Sequence, residues 1–413
     1  MSLLFLSPRM ARFRGYFWRS VSVLLAVALI AAPIAWWWIT SRPDYRLRRA
    51  LEAVERDDMQ SADRAAIHFE AQGYKDYAHF LRGKMYHHDG KFPAALAEFN
   101  QIEDQGDLRL EAAVLVGRCY LALRDPVQAE RSFKFVASQK PDHVDAHKGL
   151  TEVYFTQGAF MRAIQHAEHW AKLTPRDGKP HRFIGLFYRD LRMWEEAIPP
   201  YQEALKRELV PRVVEEVRLE LAECHVKRGE FTEALETLAK SDPPDKETAR
   251  KLTLQAEGER GLARTAKAVA SADQALKADP KYVPALRLRA AMHMDNGQPA
   301  NAGELLERAI LVDPYDFVAR DRLAQAYLGL GKKEEAERQR QQVKEMQMLL
   351  ADMEKVKQQL MTDPRDAGLH NRLADILESL NRREEAANER RIARLLGASE
   401  TKSPEKSKSP EKK

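Results

Sequence analysis

Asp145–Pro175 reads DAHKGLTEVYFTQGAFMRAIQHAEHWAKLTP, and its spacing is that of two helices joined by a tight turn. Leu150 and Tyr154 lie one turn apart on a first helix, and Gly158 sits where that helix must stop, in a conformation glycine adopts at little cost. Ala163, Ala167 and Trp170 then share one face of a second helix, which Pro175 terminates. Ala163 is small enough to let the two helices approach closely, while Tyr154 fills the gap beyond it. Neither helix can bury its apolar face alone, so the pair predicts stacked neighbours that complete the core.

Those neighbours are visible as a period. Tyr86, Tyr120, Tyr154 and Tyr188 follow one another at intervals of 34 residues. Alanines keep the same beat at Ala95, Ala129, Ala163 and Ala197, then, after a slip of three residues, at Ala234, Ala268, Ala302 and Ala336. Pro141 with Pro175 and Pro280 with Pro314 agree. Three residue types sharing one period resemble the tetratricopeptide repeat, a 34-residue helix pair. Seven contiguous units begin near residues 76, 110, 144, 178, 215, 249 and 283, and an eighth near 317. The match is fullest in the second unit (Gly117, Tyr120, Ala129, Phe133, Pro141) and the fourth (Gly185, Tyr188, Ala197, Tyr201, Ala204). Gly83 opens the same pattern in the first. It is weakest at 249, where Glu259 holds the tyrosine place. The resemblance covers about two thirds of the chain and implies an all-α solenoid of antiparallel helix pairs; the N-terminal residues, read separately, place one transmembrane helix before it.

That last element comes from Val21–Ile39, nineteen residues without a charge in a chain that is 31% charged. As a helix the stretch spans about 28 Å, close to the hydrocarbon thickness of a bilayer. Trp36, Trp37 and Trp38 close it where indoles favour the headgroup boundary. A cleaved signal peptide is the competing reading, but the run is longer than a usual apolar core and ends in tryptophans. Four arginines precede it with no acid, and a large C-terminal domain translocates largely regardless of charge. The expectation is a single-pass protein of a bacterial inner membrane, N-terminus inside and array extracytoplasmic.

The chain is thus expected to divide into a basic tail (1–20), the anchor (21–39), a degenerate helical pair or cap (43–75) and an array of about eight units (76–350). The extension of a long helix and its connector follow (351–366), then a terminal helix pair (367–397) and a basic tail predicted to be disordered (398–413). From Lys332 to Leu360 neither Gly nor Pro interrupts, and Val343, Met346, Leu350 and Met353 keep a three-four spacing, which predicts one extended helix packed on its neighbours.

Net charge is +5, of which the first twenty residues supply +4 and the last sixteen +2, leaving the middle at −1. Such terminal charge argues against a nucleic-acid face. Cys119 and Cys224 are too few for a disulfide scaffold or a four-thiolate metal site, and equal places three units apart cannot pair with each other. No phosphate-binding loop, HExxH, CxxC or GxSxG is present, so no catalytic residue, cofactor or metal is expected. His87 with His88, His143 with His147, and His166 with His169 share helix faces, yet lack further ligands nearby and read as solvated surface.

An array without an active site can bind. The resemblance implies that first helices line a concave groove through the second, fifth, ninth and twelfth places of each unit. Carried over, these give Tyr77, Phe80, Lys84 and His87; Val114, Arg118 and Leu121; Lys148, Glu152 and Phe155; and Lys179, Arg182 and Arg189. A basic groove with interleaved aromatics suits an extended acidic or C-terminal peptide, although ordinary solvated helix faces would show the same charges. The two-lysine, two-asparagine clamp of chaperone-binding members is not reproduced. The function implied is a membrane-tethered scaffold for a protein or peptide partner. The alternatives are an envelope assembly or maturation factor of a lipopolysaccharide, secretion or cytochrome-type system and, less favoured, an array appended to an enzyme. No oligomeric state can be read.

Overall fold

Eight turns set the architecture. Gly90, Arg124, Gly158, Arg192, Gly229, Ala263, Gly297 and Gly331 all have positive φ, between 57° and 81°. They stand at the same place of successive units, between a first and a second helix. Gly158 (φ +71°) takes this conformation without penalty, whereas Arg124 and Arg192 (both +59°) hold it against their Cβ atoms, so closure of those hairpins is imposed by packing. Asp125 then caps its second helix, its carboxylate accepting from the Gln128 amide at 3.1 Å.

The computed structural model describes residues 42–103, 106–363 and 366–400. These form twenty helices and no named strand. Val21–Ile39 and the tail after Glu400 lie outside the described residues. Within them no helix is long and apolar enough to cross a membrane.

Two compact units divide at Glu208 and Leu209. The first holds α1 (Pro43–Glu55), α2 (Met59–Ala71), α3 (Lys75–His88), α4 (Phe92–Phe99), α5 (Asp107–Ala122), α6 (Pro126–Gln139), α7 (Val144–Thr156), α8 (Phe160–Leu173), α9 (Lys179–Asp190) and α10 (Trp194–Leu205). The second holds α11 (Pro211–Arg228), α12 (Phe231–Ala239), α13 (Asp245–Gly261), α14 (Thr265–Ala278), α15 (Val283–Asp295), α16 (Pro299–Val312), α17 (Phe317–Gly329), α18 (Lys333–Thr362), α19 (Ala367–Ser379) and α20 (Arg383–Glu400). The boundary coincides with the three-residue slip between Ala197 and Ala234, which falls in the loop after α10 and the longer α11.

The core repeats as faithfully as the turns. Ala95, Ala129, Ala163, Ala197, Ala234, Ala268, Ala302 and Ala336 are all within 1% of full burial. Volume is balanced across each hairpin between residues 16 apart. A Cβ on Gly83 would lie 2.5 Å from the Phe99 ring, one on Gly117 2.7 Å from Phe133, and one on Gly185 2.9 Å from Tyr201. In the third unit Thr151 replaces the glycine, and its opposite number shrinks to Ala167, both buried. Phe133 is gripped twice, because a Cβ on Gly149 of the following unit would also lie 2.4 Å from its ring. Such pairs hold because interiors are packed to crystal-like density. Cys119 and Cys224 are buried and unbridged, and burial pushes the Cys119 thiol up to about 11, so it packs as a small apolar group.

At the far end of the second unit α18 runs for 30 residues. Its distal half buries Met353 and Val356 against Leu373, Ala374 and Leu377 of α19, while Met348 stays exposed. The distal half of the extended helix is therefore packed on the terminal pair.

Candidate functional site

In each unit, helices two apart in sequence touch only among the first helices: α1, α3, α5 and α7 in the first, α11, α13, α15 and α17 in the second. The face on which next-nearest helices meet is the inner, tighter side of a curved stack, so first helices line the concavity.

On that face a cavity of about 330 Å³ is walled by Leu51, Glu55, Phe80, Lys84, Glu111, Val114, Leu115, Arg118 and Asp145. It brings together Phe80, Lys84, Val114 and Arg118 from the expected set. Their charges are not free. Lys84 lies 3.1 Å from Glu55, and its hydrogen bond and charge hold that exposed carboxyl below its usual range. Arg118 donates to Asp145 at 3.1 Å, and Lys148 approaches the same carboxylate at 3.7 Å. The wall is thus charge-alternating rather than uniformly basic. Phe80, 6% exposed, is floor rather than handle. Tyr77 stacks on Phe69 at 5.6 Å and donates to Asp44 at 2.5 Å, beside a second cavity of about 810 Å³.

The remaining expected residues disperse. His87 meets Phe92 edge-on at 5.7 Å, and burial, with the charges of Lys84 and Arg118, lowers its pKa. Lys148 rides over the Trp170 ring at 5.3 Å. Phe155, 38% exposed, stacks on Phe187 at 5.4 Å. Lys179, Arg182 and Arg189 are carried by α9 and line neither cavity; Arg189 lies 3.0 Å from Asp190.

The histidines depart from the solvated surface expected of them. His147 is 7% exposed, and its Nε2 sits 2.7 Å from the Pro141 carbonyl, which can only accept. Its Nδ1 therefore accepts from Nδ1–H of His166 at 3.1 Å. His169 stacks on His147 at 4.6 Å, and His166 stacks on Tyr154 at 5.4 Å. Among the described residues no group of three or more His, Cys, Asp or Glu is placed to hold a metal ion. Burial, then the charges of His147 and His169, pushes His166 down to about 4. Below an unfolded value near 6.5 the unfolded chain takes up the proton first, so this stability is complete above that pH and is lost as pH falls toward about 4. Between pH 7 and pH 5 the contribution is expected to drop by about 1 kcal/mol, allowing for solvent screening. Urea midpoints at the two pH values should converge in His166→Gln; an unchanged gap would contradict the assignment.

The family profile described as tetratricopeptide repeat matches residues 117–178, 185–246 and 253–318. Over these residues the array is built of tetratricopeptide repeats. No curated protein matches the sequence. Similar solved structures include a tetratricopeptide repeat protein from Parabacteroides merdae, 14% identical with a TM-score of 0.44, covering 61% of this chain and 98% of that one. They also include PilW, a type IV pilus biogenesis factor, at 16% identity and TM-score 0.37 over 59% of this chain and 100% of that one. A third is YrrB, a tetratricopeptide protein with an unusual peptide-binding site, at 16% and 0.34 over 55% and 95%.

Choosing cations and aromatics from the tetratricopeptide groove places passed over Glu111 and Asp145, each at the second place of its unit. Reading that place for every unit would have found both carboxylates in the wall. The histidine contact crosses a hairpin between residues 19 apart, a separation that also joins His79 to Glu98 at 2.9 Å, Arg320 to Gln339 at 3.0 Å and His370 to Glu389 at 2.7 Å.

Proposed function

We propose that the chain is a membrane-tethered interaction scaffold that holds an extended protein segment on the inner face of its tetratricopeptide array. The observation that carries this reading is the cavity walled by α1, α3, α5 and α7, in which Lys84 and Arg118 alternate with Glu55, Glu111 and Asp145 around Phe80 and Val114, with Lys148 3.7 Å from Asp145 at its edge. An extended segment presents alternating side chains to such a wall and can exchange its own charges for these half-exposed pairs. Val21–Ile39 would supply location, placing the array outside the cytoplasm of a bacterial inner membrane.

Arg118 and Lys148, whose side chains are 46% and 39% exposed, can be reversed without opening the core. Affinity capture from solubilised membranes with the full chain and with Arg118→Glu plus Lys148→Glu is expected to show a partner weakened about tenfold by the reversal, at an unchanged thermal midpoint. Equal capture by both would place recognition away from this wall.

A further inference from the structure

The inner face of the second unit carries a different chemistry. A cavity of about 590 Å³ opens there, with four cations on its wall, Lys227, Arg260, Arg287 and Arg322, against one lining carboxylate, Glu257. Its apolar surface comes from Phe231, Leu288 and Val318. Lys227 is 3.8 Å from Glu257, Arg260 is 2.7 Å from the exposed Asp295, and Arg287 is 3.2 Å from Asp316, whose side chain is 5% exposed. Among the described residues no carboxylate lies within ion-pair distance of Arg322. Its hydrogen bond goes to the Arg287 carbonyl oxygen at 3.2 Å.

Four cations served by three carboxylates leave one positive charge, and it sits where charge is costly. Burial first, and then the charges of Arg287 and Arg260, hold the Arg322 guanidinium below its ordinary range. A half-buried guanidinium beside two others is stabilised by an anion that enters between them, more strongly than in water because the walls are partly apolar. A single carboxylate cancels the excess, whereas a phosphate dianion would overshoot it.

We propose that this cavity binds one Asp or Glu side chain of an extended peptide segment between Arg287 and Arg322, with a neighbouring apolar side chain of the segment seated on Phe231 and Leu288. The assignment rests on the reading of the chain as a peptide-binding scaffold, but on residues of the other unit. It restricts the partner to a segment in which an acidic residue is flanked by apolar ones.

The test is fluorescence anisotropy of the full chain with a labelled, N-acetylated and C-amidated Gly-Val-Leu-Glu-Leu-Val-Gly peptide, its glutamine twin and its phosphoserine twin. The glutamate peptide is expected to bind about tenfold more tightly than the glutamine peptide. Arg322→Gln should erase that preference, Arg260→Gln should weaken it, and the Arg118→Glu plus Lys148→Glu chain should keep it. Arg322→Gln removes a half-buried, unneutralised cation, so its thermal midpoint should not fall. Equal affinity for the glutamate and glutamine twins, or no binding of either, overturns the proposal, as does tighter binding of the phosphoserine twin. A preference lost in the Arg118→Glu plus Lys148→Glu chain but kept in Arg322→Gln overturns this site while leaving the scaffold reading in place.

Discussion

Phe133→Ala is expected to destabilise the first unit by about 3–5 kcal/mol. The ring is fully buried and is enclosed by backbone that has no side chain to relax into the vacated space: Gly117 on α5 on one side and Gly149 on α7 on the other. Ala129 and Val136, on the same helix and equally buried, cannot reach across without moving α6. The loss should also spread. In a stacked array each unit is stabilised by its neighbours, and Phe133 bridges two of them, so α5–α8 should gain hydrogen exchange together. A change below about 1 kcal/mol in urea unfolding would show that the interface is loosely packed.

Gly149→Ala is expected to cost about 1–3 kcal/mol, against the sign that helix propensity alone would give. Within a helix, alanine exceeds glycine by about 1 kcal/mol. Here, however, the new methyl would stand 2.4 Å from two Phe133 ring atoms, and the ring cannot swing away because Gly117 closes the other side. Gly303→Ala is the matched control. It too is buried within a helix, yet its methyl would meet only Leu323 at 3.9 Å, so it should stabilise by about 0.5–1 kcal/mol. Opposite signs in the two variants would establish the aromatic-on-glycine contact as the element that sets helix spacing. Stabilisation by both would contradict it.

These two sites show what the sequence discloses and what it withholds. Tyr154, Gly158 and Ala163 announce helix, turn and close crossing, and the 34-residue period extends that announcement to units whose own residues say little, such as the one holding Ala263. Gly158, Ala163 and Tyr154 are legible because each answers a local demand: positive φ, small volume, an aromatic filler. Groove charge is not local in this sense. Arg118 looks free along its own helix, and only the stacking of α5 on α7 places Asp145 against it, whereas Lys148 meets the same carboxylate three residues along α7. The contact of His147 with His166 escapes a search for ligands one turn apart because it spans a hairpin. The cationic cavity of the second unit draws each of Arg260, Arg287 and Arg322 from a different helix, so no single window of sequence contains it.

The central claim is that a partner lies on the inner face of the first unit, and site-specific photocrosslinking tests it most directly. A photoreactive residue would be placed in the full chain at Lys148, on α7 beside Asp145, or at Met161, which is 56% exposed on the second helix α8. The account predicts a crosslinked partner from position 148 and none from position 161. Crosslinking from 161 alone would put recognition on the outer face and contradict the groove.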